Sequence, residues 1–205
     1  MTISKGTAVP KVIADISMSI DGFVTGPNAG PDRGLGIGGE PLHRWALDSS
    51  DDVDQAMLRE GTEQTGAVVM GRRLFDVIDG PNGWDEQMGY GGSEVGTPPF
   101  FIVTHAAPAR TRLDLGFTFV EDGLASAIAR AKEAALEGHV VVMGGAEVVR
   151  SCLDRGHLDE LRLHISPVVL GAGTPLFEGA TRRELVQGEV LVSRHATHIT
   201  YAATS

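Results

Sequence analysis

Ten consecutive residues, Val140-Val141-Val142-Met143-Gly144-Gly145-Ala146-Glu147-Val148-Val149, leave the chain few folds to choose from. Three valines and a methionine in a row read as a strand buried on both faces, the pattern of a parallel sheet. Two glycines stop it. A helical pattern follows at once, with Val148, Val149, Cys152 and Leu153 on one face and Arg150, Ser151, Asp154 and Arg155 on the other. Strand, Gly-Gly, helix brings bare backbone N–H groups and a helix N-terminus up to an anionic group. A tight turn with no ligand has the same pattern, and these residues alone do not separate the two.

The rest of the chain repeats the theme. Residues 11–18 alternate as a first strand, with Val12, Ala14, Ile16 and Met18 on one face and Ile13, Asp15 and Ser17 on the other. A carboxylate at Asp15 is either on a wet face or, in a parallel sheet, in need of partners, which makes it a candidate site residue. Ser19-Ile20-Asp21-Gly22 forms a turn in which the Asp21 side chain can accept from nearby N–H groups. Residues 25–41, rich in Gly and Pro, read as a long loop, either a binding loop or filler. Residues 42–47 form a short apolar return.

A helix then runs from about residue 50 to Thr65, capped by Ser49, Ser50, Asp51 and Asp52, with Val53, Ala56 and Met57 inward. The carboxylates of Asp51, Asp52 and Asp54 read as helix-dipole and solubility charges. Residues 66–70 are a second buried strand, followed by Gly71-Arg72-Arg73 and a short helix with Leu74, Phe75 and Ile78 inward. Arginine at a strand-to-helix turn suits phosphate, because its planar fork bonds two oxygens. A second Gly-rich loop (79–98, with Trp84 and Tyr90) leads to strands at 99–104 and 117–120 and a helix over 123–136. After residue 149 come a strand from Leu161, a glycine turn at 167–173 and a terminal antiparallel pair, 185–194 and 196–203. Strand–helix repeats followed by strands predict an α/β sheet with right-handed crossovers and an antiparallel edge.

Composition narrows the function. With 17 Lys and Arg against 27 Asp and Glu, the net charge of −10 disfavours a nucleic-acid surface. A single cysteine, Cys152, permits no intrachain disulfide and fits a reducing compartment. The N-terminus lacks a signal-peptide core and no apolar run reaches membrane-spanning length, so a soluble, cytoplasmic protein is expected. Residues 1–10 read as a tail and 11–205 as one domain. No P-loop, no G-x-G-x-x-G after a strand and no complete G-x-S-x-G is present. No H-E-x-x-H occurs, and His195 and His198 fall on opposite faces of a strand, so no metal site is expected.

In their order and spacing, these pieces resemble the dihydrofolate reductase fold, nearest the reductase domain of the bifunctional deaminase-reductases of riboflavin biosynthesis. The residues carrying the resemblance are Ser19-Ile20-Asp21-Gly22, Val69-Met70-Gly71-Arg72, Val103-Thr104-His105, Val142-Met143-Gly144-Gly145-Ala146 and Asp159-Glu160-Leu161. The run Pro167-Val168-Val169-Leu170-Gly171-Ala172-Gly173-Thr174-Pro175-Leu176-Phe177 completes them. The resemblance implies a three-layer fold with a mostly parallel central sheet, helices on both faces and an antiparallel C-terminal edge. It implies NADPH as hydride donor to a small heterocycle, carbonyl or imine compound, and a homodimer.

Carried over by resemblance, Gly71 and Arg72 approach the cofactor phosphates, and Thr104 and His105 the adenosine 2′-phosphate. Gly144, Gly145 and Ala146 hold the pyrophosphate, and Ser17, Met18, Leu170 and Gly171 border the nicotinamide. Glu147 should point away from the phosphates. For the acid, the resemblance points to the start of the helix before Gly71, which offers Ser50, Asp51, Asp52, Asp54 and Gln55 without singling one out. In the riboflavin branch it also points to Asp21, beside the substrate sugar. Asp15, Asp21 and Asp51 therefore stand together as candidate catalytic residues. A true dihydrofolate reductase and a non-catalytic NADPH-binding protein are the alternatives.

Overall fold

The alternation of each strand assigns its residues to one side of a sheet or the other, and the computed structural model, which describes residues 10–85 and 97–203, follows that assignment. β1 (Val12–Ser19) leads to a short β2 (Phe23–Thr25), a 3-10 turn (Glu40–His43), α1 (Arg44–Leu47) and α2 (Asp52–Glu63). Next come β3 (Thr65–Gly71), α3 (Arg72–Ile78), β4 (Phe100–Val103), β5 (Phe117–Val120) and α4 (Leu124–Ala134). The chain closes with β6 (His139–Gly144), α5 (Ala146–Asp154), β7 (Glu160–Ser166), β8 (Thr174–Pro175), β9 (Val186–Val192) and β10 (Thr197–Ala202).

Eight strands form one sheet in the order β5-β4-β3-β6-β1-β7-β10-β9. The six from β5 to β7 are parallel, and β10 and β9 add an antiparallel edge. Val12, Ala14, Ala67, Val69, Val140, Val142, Leu161 and Leu163 share one face and pack with Ala127, Ile128 and Ala131 of α4 and Val149, Cys152 and Leu153 of α5. The opposite parity, Val68, Met70, Phe100 and Ile102, packs with Phe75 and Ile78 of α3. Each fully buried large apolar side chain stabilises this arrangement by about 1.5–3 kcal/mol. A parallel sheet covered on both faces is why the central strands read as unbroken apolar runs.

Four local expectations change. Residues 42–47 are not an irregular return but belong to the 3-10 turn and α1. Ala56 is exposed rather than inward, because α2 lays only a narrow stripe on the sheet. Asp54, expected at the surface, is completely buried. β2 and β8 pair as a separate antiparallel ribbon that ties residues 23–25 to 174–175, a pairing too short to show as alternation. Much of the second Gly-rich loop, including Tyr90, lies outside the described residues.

Candidate active site

The parallel strands all end at one edge, so the segments that follow β1, β3, β4, β6 and β7 gather there. This carboxyl edge is where open α/β sheets take ligands. At its centre, β6 ends in Gly144 with φ +133, a backbone state that L side chains rarely adopt. The Gly144–Gly145 peptide is cis. Gly145 caps α5 without a side-chain hydrogen bond, and a Cβ built on it would meet nothing within 4 Å. Gly71, by contrast, has room for no side chain: a Cβ there would stand 2.8 Å from Val148 Cγ2 and 3.9 Å from Gly145 N. Two glycine turns are thus pressed together, with open space over the second. That arrangement suits an anion bound by backbone N–H groups at a helix start.

The loops around this edge are fastened to one another. Arg72 Nε donates to Asp76 Oδ1 at 2.7 Å and Nη1 to the Ala106 carbonyl at 2.7 Å. Thr104, itself buried, donates from Oγ1 to the same carbonyl at 2.9 Å. Asp21 accepts from the Leu170 and Gly171 N–H groups at 3.1 and 2.7 Å, and Ile20 N–H donates to Val168 O. A hydrogen bond from Ser19 together with those two backbone donors holds the Asp21 carboxyl down at about 2. Arg73 and Glu147 face water as a 3.9 Å pair, so Glu147 points outward.

Beneath the edge, on the face opposite α4 and α5, runs a row of ionisable groups. The register sets Ser17 beside His164, and His164 beside His198. Asp15 Oδ1 lies 2.9 Å from His164 Nε2, and His164 Nδ1 lies 2.7 Å from His198 Nδ1. His198 Nε2 lies 2.8 Å from Asp54 Oδ1, and Ser49 Oγ donates to Asp54 Oδ2 at 2.5 Å. Trp45 lids the row: its ring packs on His164 at 4.1 Å between centroids, and its Nε1–H donates to Ser17 Oγ at 2.8 Å.

Burial raises the Asp54 carboxyl, but the Ser193 and Ser49 hydroxyls and His198 outweigh it and hold the group below its usual range. Burial lowers the His198 ring, against the pull of Asp54, so this histidine is neutral near pH 7. Burial also raises Asp15, yet the attraction and hydrogen bond of His164, helped by Arg162, bring it below its usual range. His43, beside the row, is pushed down to about 4 by burial and by His164.

These directions assign the protons. An ionised Asp54 requires N–H on His198 Nε2, which leaves His198 Nδ1 as acceptor and places N–H on His164 Nδ1. The third proton lies between His164 Nε2 and Asp15. Asp54 is 0% and Asp15 25% exposed at the side chain. Asp15 Oδ2 makes no hydrogen bond among the described residues. The row is closed at Asp54 and open at Asp15.

The sequence model of the RibD C-terminal domain matches residues 10–199. The chain belongs to the RibD C-terminal domain family. Membership places it among reductase domains and explains the sheet order and the clustered turns. The uncharacterized protein YyaP of Bacillus subtilis (strain 168) is a relative, 23% identical over 179 residues that cover 84% of this chain and 83% of YyaP. Among solved structures, the Thermotoga maritima diaminohydroxyphosphoribosylaminopyrimidine deaminase/5-amino-6-(5-phosphoribosylamino)uracil reductase superposes with a TM-score of 0.66 at 14% identity. The superposition covers 95% of this chain and 57% of that longer protein. A pyrimidine reductase-like protein of Corynebacterium diphtheriae superposes with a TM-score of 0.60 at 16% identity, over 96% and 92% of the two chains.

Within this RibD C-terminal domain the site residues read from sequence separate into three places. Gly71, Arg72, Thr104, Gly144, Gly145 and Ala146 lie at the ends of β3, β4 and β6, and His105 is exposed just beyond Thr104. Ser17, Met18, Asp15, Asp21, Leu170 and Gly171 lie on β1 and in the loops joined to it. Asp51 accepts from Val53 N–H at 2.9 Å as the N-cap of α2. His164 and His198 were not picked out from sequence, and Asp54 stood only as one of several residues offered for the acid at the start of α2. The signal available was parity: Arg162, His164 and Ser166 place polar groups on one face of a strand whose other face is Leu161 and Leu163.

Proposed function

We propose that this RibD C-terminal domain is an NADPH-dependent reductase of a small heterocyclic, carbonyl or imine compound, with Asp15 as its acid. The observation that carries the reading is the position of Asp15. It is a carboxyl with one free oxygen on β1, the parallel neighbour of β6, and both strands end at the edge where the paired glycine turns lie, with Asp15 on the face opposite α5.

The residues present fit a dinucleotide. Gly144, Gly145 and Ala146 would take the pyrophosphate at the N-terminus of α5, where the helix dipole favours an anion. Gly71 allows the close approach of β3 and α5 on which this surface depends. Arg72 would act chiefly by fixing the segment 104–106, which with His105 would lie near the 2′-phosphate. Ser17, Met18, Leu170 and Gly171 would border the nicotinamide, the last two held by Asp21. When bound, the reduced nicotinamide supplies the hydride. The protein's own residues align the acceptor, exclude water beneath Trp45 and pass on a proton taken up from water at Asp15 Oδ2.

The substrate class we propose resembles 5-amino-6-(5-phosphoribosylamino)uracil, the compound named in the reductase activity of the Thermotoga maritima protein. We also infer that two copies pair along the antiparallel edge, where Val186, Val190 and Val192 of β9 are 57%, 41% and 69% exposed.

The test is NADPH oxidation, followed optically, with three acceptors: 5-amino-6-(5-phosphoribosylamino)uracil, dihydrofolate and a quinone. Turnover of the first supports the reading. Turnover of dihydrofolate alone makes the protein a dihydrofolate reductase, and tight NADPH binding with no turnover makes it a cofactor-binding protein.

A further inference from the structure

Resting on that reading, we propose that His164, His198 and Asp54 form a closed proton relay that moves in step with Asp15, so that the charge left by proton donation settles on Asp54. The row has three hydrogen bonds, from Asp15 to His164, from His164 to His198 and from His198 to Asp54. Three hydrogen bonds need three protons. Two imidazoles and two carboxylic acids, all uncharged, would hold four, so the intact three-proton row is one proton short of that and its net charge is −1. The Nδ1···Nδ1 contact at 2.7 Å is the joint of the relay, since exactly one of the two atoms can carry the proton at a time.

The shift balances without a charged intermediate. Both carboxyls are held below their usual range, so near pH 7 the three-proton row is the resting state; a proton taken up from water at Asp15 Oδ2 gives the less populated donating state, in which Asp54 is a carboxylic acid. The acceptor takes the Oδ2 proton. His164 Nε2–H passes to Asp15 Oδ1, His198 Nδ1–H to His164 Nδ1, and the Asp54 proton to His198 Nε2. The row is then in its three-proton state, every hydrogen bond reversed and kept, with the negative charge on Asp54. There the Ser49 and Ser193 hydroxyls and the His198 N–H receive it. The next proton enters from water at Oδ2, the one open end, and the row shifts back.

Arg162, in register with Asp15 and paired to Glu160 at 2.6 Å, draws negative charge toward the Asp15 end and so opposes the shift, which the donors around Asp54 must outweigh. His43, held down at about 4, stays neutral and leaves the row undisturbed from the side of the 3-10 turn. From α1, Trp45 covers both rings with a neutral surface. His164, His198 and Asp54 act through Asp15 and are positioning residues.

Titration of the aspartate carboxyls by ¹³C NMR on the ligand-free chain tests this without any turnover. The relay predicts that Asp54→Asn moves the Asp15 midpoint, and Asp15→Asn the Asp54 midpoint, each by about one pH unit or more. Ser49→Ala, which removes one donor to Asp54 from outside the row, moves the Asp15 midpoint in the wild-type background and guards against a folding defect in Asp54→Asn. Midpoints that stay in place in both variants overturn the relay. In NADPH turnover, Asp54→Asn shifts the pH limb of kcat and leaves the KM for NADPH unchanged, and an unshifted limb counts against it. If the carboxyls are coupled but no acceptor is reduced, the reductase reading fails and the relay itself does not. If an acceptor is reduced and the midpoints stay put, the reverse holds.

Discussion

Asp15 and Cys152 are both polar groups set against the sheet, and their surroundings give them opposite chemistry. Asp15 keeps one oxygen free and faces a histidine. Replacing it with asparagine keeps the shape and removes the acid, so kcat should fall by about 10²- to 10⁴-fold. NADPH affinity, which we assign to the glycine turns, should stay the same; steady-state rates and a binding titration check both. Cys152 is fully buried, and burial pushes its thiol up to about 12. The thiolate is the reactive form. A disulfide reagent at pH 7 should therefore label none of the native chain and one thiol per chain after denaturation. Rapid labelling of the native chain would contradict the packing of α5. Asp54 carries the lesson of this scale. In sequence it looks like its neighbours Asp51 and Asp52, yet α2 turns it alone onto the sheet, where Ser49 and His198 receive it.

At the scale of elements, the loops of the site are held by carboxylates and glycines rather than by core packing. Asp21 is the clearest case, because it clamps Leu170 and Gly171 across a long separation in sequence. Its folded value of about 2 lies below the ordinary 3.8, so the clamp is fully present above pH 4 and is lost as pH falls through 2. The Leu170 and Gly171 amides should accordingly lose hydrogen-exchange protection and shift in amide NMR spectra between about pH 4 and pH 2. Asp21→Asn should show the loosened loop already at pH 7. Unchanged amides across that range would remove Asp21 from its structural role. The elements themselves were largely legible. Valine runs marked the parallel strands, paired glycines marked the turns, and alternation in β1 put Asp15 on the face opposite Val12. The row below was not legible, because it depends on the antiparallel register of β7 and β10, which brings together histidines 34 residues apart. It also depends on the rotation of α2, which the weakly apolar sequence of that helix does not set.

For the whole molecule, one edge of the sheet is blunt and the other open. β5 is short, whereas β9 is seven residues long and exposes valines along an edge that is unpaired among the described residues. Such an edge invites pairing with a second copy. Light scattering is expected to give a mass of about twice the 21.6 kDa chain. Charged substitutions at Val190 and Val192 should return it to the single-chain value. A monomer in the unsubstituted protein would leave β9 as a solvated edge. Among the described residues no helix is long and apolar enough to cross a membrane. Membership of the RibD C-terminal domain family sets the reaction class, and with a net charge of −10 an anionic cofactor would depend all the more on the backbone N–H groups at the α5 N-terminus.

If Gly144 and Gly145 open a surface for the pyrophosphate of NADPH, one calorimetric titration shows it. NADPH is titrated into the wild-type chain and into Gly145→Ala, whose added Cβ meets nothing within 4 Å and so should change stability by no more than about 0.5 kcal/mol. One NADPH is expected to bind per wild-type chain, with a Kd raised about tenfold or more in the variant and an unchanged melting temperature. No binding to the wild type, or equal binding to both, would contradict it.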